Sequence, residues 1–248
     1  MTKRFKLTLE YDGTDFSGWQ RLREGASVQQ TLEEAAYRFA GVETPVYGAG
    51  RTDAGVHATG QVAHLDLPGR FRAQTVQHAL NYHVRPKRVV VMEAAEVDPQ
   101  FHARFSATKR VYRYYILQRT APPILAQHRM LHCPYALSYD QMGQAAHYLM
   151  GHHDFTSFRA QACQARSPHI TLDRITLRPQ EEGLMIELEA RSFLHHMVRN
   201  IVGTLLMIGR GIWAPERISD ILAAKNRSAA GPTAPPYGLY LHQVLYEE

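Results

Sequence analysis

Hydrophobic and polar positions along this chain alternate between two periods, and the switches mark the elements. KRFKLTLEY (3–11) alternates residue by residue and is rich in strand formers, which predicts a half-buried strand. After the turn-prone DGTDFSGW, the run VQQTLEEAAYRFAG takes helical spacing, and Ser27 with Gln30 predicts a capping box at its start. Strands are expected around 45–50 and at 61–67, a helix at 72–84 and a strand at 88–97. The resulting order is β-α-β-β-α-β.

The second half follows the same course. RVYRYYILQ (110–118) reads as a strand, SYDQMGQAAHYLMG (138–151) as a helix opened by Ser138, and 169–179 with 183–193 as a hairpin around QEEG. Helices are expected at 195–211 and 214–226, and a closing strand at 238–247. Apart from the added helix the order is again β-α-β-β-α-β, although no sequence repeat accompanies it. Two split βαβ units in series predict an α/β (α+β) chain of two ferredoxin-like domains, 1–104 and 105–248, with a cleft between them. RNA-recognition modules share that topology, but neither half carries their aromatic signature.

Composition narrows the class. The 248 residues are 45% hydrophobic and 21% charged, which is ordinary for a globular chain. Cations outnumber acids by 28 to 23, and only five of the cations are lysine, so 23 are arginine. Arginine matches phosphate through its planar fork and stacks on rings, which suits a polyanionic partner, though a genome that favours arginine codons gives the same balance. The two cysteines, Cys133 and Cys163, are far apart and in no metal spacing, which suits a reducing cytoplasm. The basic start has no apolar run of a secretory leader, and the most apolar segment, 192–209, is too short and polar to span a membrane.

Four patterns are candidates for chemistry. GAGRTDAGVH (48–57) is a glycine-rich loop with Asp53 where a dinucleotide fingerprint needs its last glycine, and it lacks the closing G-K-[ST] of a phosphate loop. Either Asp53 is a turn-forming aspartate beside a surface arginine, or it is a positioned carboxylate serving as nucleophile or general base. In HHMVRNIVGTLL, Arg199 lies at the edge of an apolar stripe made by Leu194, Val198, Ile201, Val202 and Leu205. It either snorkels to water or, partly withdrawn, takes an anionic partner, for which Asp53 is attractive. KRVYRYYILQR (109–119) interleaves tyrosines with cations and puts Tyr112 and Tyr114 on one face, a base-stacking platform or a half-buried aromatic face. The histidine pairs at 152–153 and 195–196 do not have the i, i+4 spacing of helical metal ligands, so no metal site is expected.

Together YDGTDFSGWQ, SVQQTLEEA, GAGRTDAGVHATGQVAH, FHARFSATKRVYRY, DFTSFR, HHMVRNIVG and GLYL resemble, in this order, the bacterial tRNA pseudouridine synthase A family. The resemblance implies an isomerase that converts uridine to pseudouridine at positions 38, 39 and 40 of the tRNA anticodon stem-loop, with no cofactor and no metal. It implies that Asp53 is the catalytic nucleophile and that Arg199 pairs with it. It further implies that Tyr112 stacks on the target base, Leu239 packs on the base from the other side, and Arg51 helps extrude and hold the nucleotide. A cytoplasmic homodimer is implied as well, with one tRNA lying across both subunits. Two other classes compete: a non-catalytic tandem RNA-binding protein, and a metal-dependent nuclease built on the histidine pairs and Asp154. The nuclease reading lacks an acidic cluster.

Overall fold

The computed structural model describes residues 2–247, and the chain divides into two compact units. One runs up to Thr108 and takes back the residues from Tyr240 onward, and the other is Lys109–Leu239.

In the first unit the elements are β1 (Thr2–Tyr11), α1 (Val28–Ala40), β2 (Tyr47–Gly48), β3 (His57–Pro68), α2 (Ala73–His83) and β4 (Val89–Val97). The strand order is β4-β1-β3 with β2 antiparallel on β3, and β1 is antiparallel to both of its neighbours. Phe5, Leu7 and Leu9 alternate into the core, where Phe5 faces Leu65 and Leu7 faces Ala63 across the β1–β3 ladder. All three are fully buried, and each stabilises the fold by roughly 1.5–3 kcal/mol. A register slip of one residue would turn the whole row to the other face. The apolar stripes of α1 (Val28, Leu32, Ala35, Ala36) and α2 (Val76, Leu80) are buried as well.

Ser27 caps α1 by accepting from the Gln30 amide at 3.2 Å. The expected box is half formed, because the Gln30 side chain bonds Glu34 one turn on instead of turning back. β2 is only two residues long, and β3 starts at His57 rather than at 61. Gly60 looks like a break in the alternation. In fact a Cβ at Gly60 would collide with the His242 carbonyl, so the glycine admits a close neighbour strand. That neighbour is β10 (Leu239–Tyr246), parallel to β3 through Tyr240–His57 and Leu241–Ala58.

In the second unit β5 (Ala107–Leu117) is followed by a short β6 (Leu131–His132), α3 (Tyr139–His147), β7 (Gly151–Asp154), β8 (His169–Gln180), β9 (Gly183–Ala190), α4 (Met197–Gly209) and α5 (Arg217–Ala224). Strands run in the order β5-β9-β8-β7, all antiparallel, with β6 parallel on β5. β6 and β7 leave no signal in the sequence pattern, because two to four residues are too few to show a period. Tyr112, Tyr114 and Ile116 pair with Leu188, Ile186 and Leu184, and all six are buried. The other face carries ions: Glu187 is 4% exposed and takes Arg113 at 2.7 Å and Arg178 at 3.1 Å. Helix α4 starts at Met197, two residues later than its spacing suggests, because His196 stands at φ 62 in the left-handed region. Among the described residues no helix is long and apolar enough to cross a membrane.

Candidate active site

The acid-bearing loop is built on the first unit alone. Trp19 lies against Gly48, whose missing side chain leaves room for the indole. Gly55 turns the chain at φ 76, and the Val56 amide closes that turn on the Asp53 carbonyl at 3.1 Å. The Thr52 carbonyl accepts from the Trp19 amide at 2.9 Å. Beneath the loop, the fully buried Gln61 bonds both polar groups of the Gly50 backbone, and Tyr11 reaches the Thr52 hydroxyl at 2.8 Å. The glycines are therefore sites of close packing and turning, and the backbone around Asp53 is held from several sides. Arg51 is exposed and Asp53 half-buried at the crest.

The loop's far end is tied to the turn after β1. The Nδ1 of buried His57 accepts the Gly13 amide at 3.0 Å and lies 3.2 Å from an Asp12 oxygen. Burial alone would raise the Asp12 pKa. Hydrogen bonds from the Thr14 side chain and backbone and from Arg88, with His57 nearby, outweigh burial and bring it down to about 2.

In the second unit the segment 226–239 is strapped along α4. Arg227 bonds Asn200 and Thr233, each at 3.0 Å, and Thr233 bonds Asn200 at 2.7 Å. The Gly231 amide donates to Thr204 at 3.0 Å. Half-buried Arg199 donates Nε–H to the Ala234 carbonyl at 2.8 Å. Tyr114 donates its hydroxyl to the Pro235 carbonyl at 2.8 Å, and burial pushes its pKa far up, so it stays protonated. The strap ends in buried Leu239. Tyr112 is 8% exposed, with Phe193 edge-on to its ring at 5.0 Å.

Asp53 and Arg51 thus share one loop of the first unit, while Tyr112, Arg199 and Leu239 belong to the second. A family model for tRNA pseudouridine synthase matches residues 8–106 and 145–247. The chain belongs to the tRNA pseudouridine synthase family. It is 53% identical over 243 residues to tRNA pseudouridine synthase A of Paramagnetospirillum magneticum, covering 98% of this chain and 95% of that one. It is 53% identical to the Rhodospirillum rubrum protein of the same name, over 98% and 87% of the two chains. With that of Acidiphilium cryptum it shares 54% identity over 99% and 97%. As a member of this family the chain is an isomerase that acts on tRNA, which sets aside the binding-only and nuclease readings.

The residues matched by the family model include Asp53, Arg199 and Leu239, whereas Tyr112 falls between the two matched segments. The supports of the site carry no sequence signal of their own. Gln61 sits in a strand, Tyr11 ends another, and Ala234 lies in a stretch without period. Only the spacing of Gly48, Gly50 and Gly55 hinted that something packs closely against the loop.

Proposed function

We propose that the chain isomerises uridine to pseudouridine at positions 38, 39 and 40 of the tRNA anticodon stem-loop, with Asp53 as the nucleophile. The observation that carries this reading is the crest itself. In a chain of this family, Asp53 is the acid on a loop whose backbone is fixed on either side of it. The reaction breaks the N1–C1′ bond, turns the uracil over and joins C5 to C1′. The C5 proton is lost and N1 gains one, so the product is an isomer and no redox partner enters. A carboxylate suits the sugar carbon, as it does in retaining glycosidases.

The other roles follow. The target base must leave its stack, and an aromatic platform with cations at the phosphates offsets that cost. Tyr112 supplies the platform, Leu239 packs on the base from the other side, and Arg51 holds the extruded nucleotide. Arg199 pairs with Asp53 and orients it. For the architecture we propose two tandem ferredoxin-like domains, 1–104 and 105–248. The order β4-β1-β3-β2 supports the first, and the succession β5-α3-β8-β9-α4 supports the second. The enzyme works in the cytoplasm as a homodimer, without cofactor or metal.

The test is Asp53→Asn on an unmodified anticodon stem-loop, with pseudouridine mapped chemically or by mass spectrometry. No product is expected. Turnover at the wild-type rate would remove Asp53 from the mechanism.

A further inference from the structure

We infer that a buried side-chain relay, Gln61 to Tyr11 to Thr52, sets the position of the Asp53 crest, which makes these three the positioning residues of the reaction. The inference rests on the reading of Asp53 as the reacting carboxylate.

All three side chains are shut off from water: Gln61 is 0%, Tyr11 3% and Thr52 6% exposed. Buried polar groups need partners, and here they find them in one another and in the Gly50 backbone. The Gly50 amide donates to Gln61 Oε1 at 3.3 Å, which turns the Gln61 NH2 toward two acceptors. These are the Gly50 carbonyl at 2.7 Å and the Tyr11 oxygen at 3.4 Å. The Tyr11 hydroxyl in turn shares a hydrogen bond with Thr52 Oγ1 at 2.8 Å. Burial pushes the Tyr11 pKa up to about 12, so it remains a donor over the whole working range.

The relay begins and ends on the loop. It grips Gly50 and Thr52, the residues flanking exposed Arg51, and Thr52 is bonded directly to Asp53 along the chain. Its anchors lie in the sheet. Gln61 faces Leu9 across the β1–β3 ladder, and Tyr11 follows the register shift that brings β1 opposite Ala58. The crest is thus tied to the rigid core by side chains, so its place does not depend on the loop's own turn alone. A carboxylate displaced by about 1 Å from its reacting carbon loses on the order of a hundredfold in rate.

Tyr11→Phe deletes one oxygen and leaves the ring in the core. We expect single-turnover kcat on the stem-loop to fall roughly 10- to 100-fold, with KM within about twofold of wild type. Thr52→Val, equal in shape, should fall as far, while Thr52→Ser, which keeps the hydroxyl, should stay within about threefold. The double variant Tyr11→Phe/Thr52→Val should be no slower than either single one, because both cut the same link. Amide exchange over residues 49–56 should speed up in both. Wild-type kcat in Tyr11→Phe, additive losses in the double variant, or failure of Thr52→Ser to restore activity would each overturn the inference. If Tyr11→Phe does not fold, the valine–serine comparison at Thr52 decides alone. The Asp53 assignment fails separately: Asp53→Asn would then stay active, and the kcat of Tyr11→Phe would still report whether the relay matters.

Discussion

Arg199 and Ala234 exchange two hydrogen bonds. The Arg199 Nε–H reaches the Ala234 carbonyl at 2.8 Å, and the Ala234 amide returns to the Arg199 carbonyl at 3.1 Å. The guanidinium is thereby fixed through its inner nitrogen, with its two terminal nitrogens beyond the fixing point. Lysine has no equivalent of Nε: a single ammonium cannot stay at Ala234 and also extend past it. Arg199→Lys is therefore expected to lower kcat about 10- to 100-fold, the cost of one charge-assisted bond. Melting should shift by only a few degrees. Steady-state assay beside thermal unfolding checks both, and a lysine enzyme with wild-type turnover would show that charge alone suffices.

Gly203 tests the strap from the other side. It lies on α4 one turn after Arg199, and a Cβ there would run into the Pro232 carbonyl oxygen. Backbone on both sides leaves no flexible side chain to yield. Gly203→Ala should push the strap outward and destabilise the fold by roughly 1–3 kcal/mol, although alanine favours the helix itself. Urea unfolding measures the loss. Activity should drop further than stability alone explains, because Arg199 and Leu239 both depend on the strap.

Tyr112 separates ring from hydroxyl. Its ring packs edge-on against Phe193 within a largely buried face, so Tyr112→Phe keeps the platform and its packing. Tyr112→Ala removes both and opens a cavity costing about 3–5 kcal/mol. The phenylalanine enzyme should bind stem-loop within a fewfold of wild type and the alanine enzyme far more weakly, as fluorescence titration would show. Equal losses would point to the hydroxyl instead.

These variants also show what was legible beforehand. The alternation of Phe5, Leu7 and Leu9, the α4 stripe and the shared face of Tyr112 and Tyr114 were readable because burial imposes a period on neighbouring residues. Asp53 stood out because it stands where a dinucleotide fingerprint needs its last glycine. The strap was not, since 226–239 is held by particular bonds among Arg227, Asn200 and Thr233, which leave no period. Nor was the Ala234 carbonyl that takes the Arg199 Nε, because backbone acceptors have no sequence identity. Gln61 and Tyr11 fit their strands so well that nothing marked their second task, fifty residues apart in the chain.

His64 predicts an acid-sensitive loop base. It is fully buried on β3, stacks on Tyr47 at 5.1 Å just before the glycine loop, and accepts the Ala103 amide at Nδ1. Burial first, then the charges of His102 and Arg4, push its pKa down to about 4, against a weaker pull from Asp66. A depressed folded pKa means that the unfolded chain binds the proton more readily below pH 6.5. The stabilisation is therefore complete above about 6.5 and is lost as pH falls toward 4, about 2 kcal/mol of it by pH 5. His64→Asn places an oxygen near the Nδ1 position and cannot titrate. Its unfolding free energy should lie below wild type at pH 7.5, and the gap should narrow by about 2 kcal/mol at pH 5. Parallel curves for the two proteins would mean that His64 keeps its proton balance on folding.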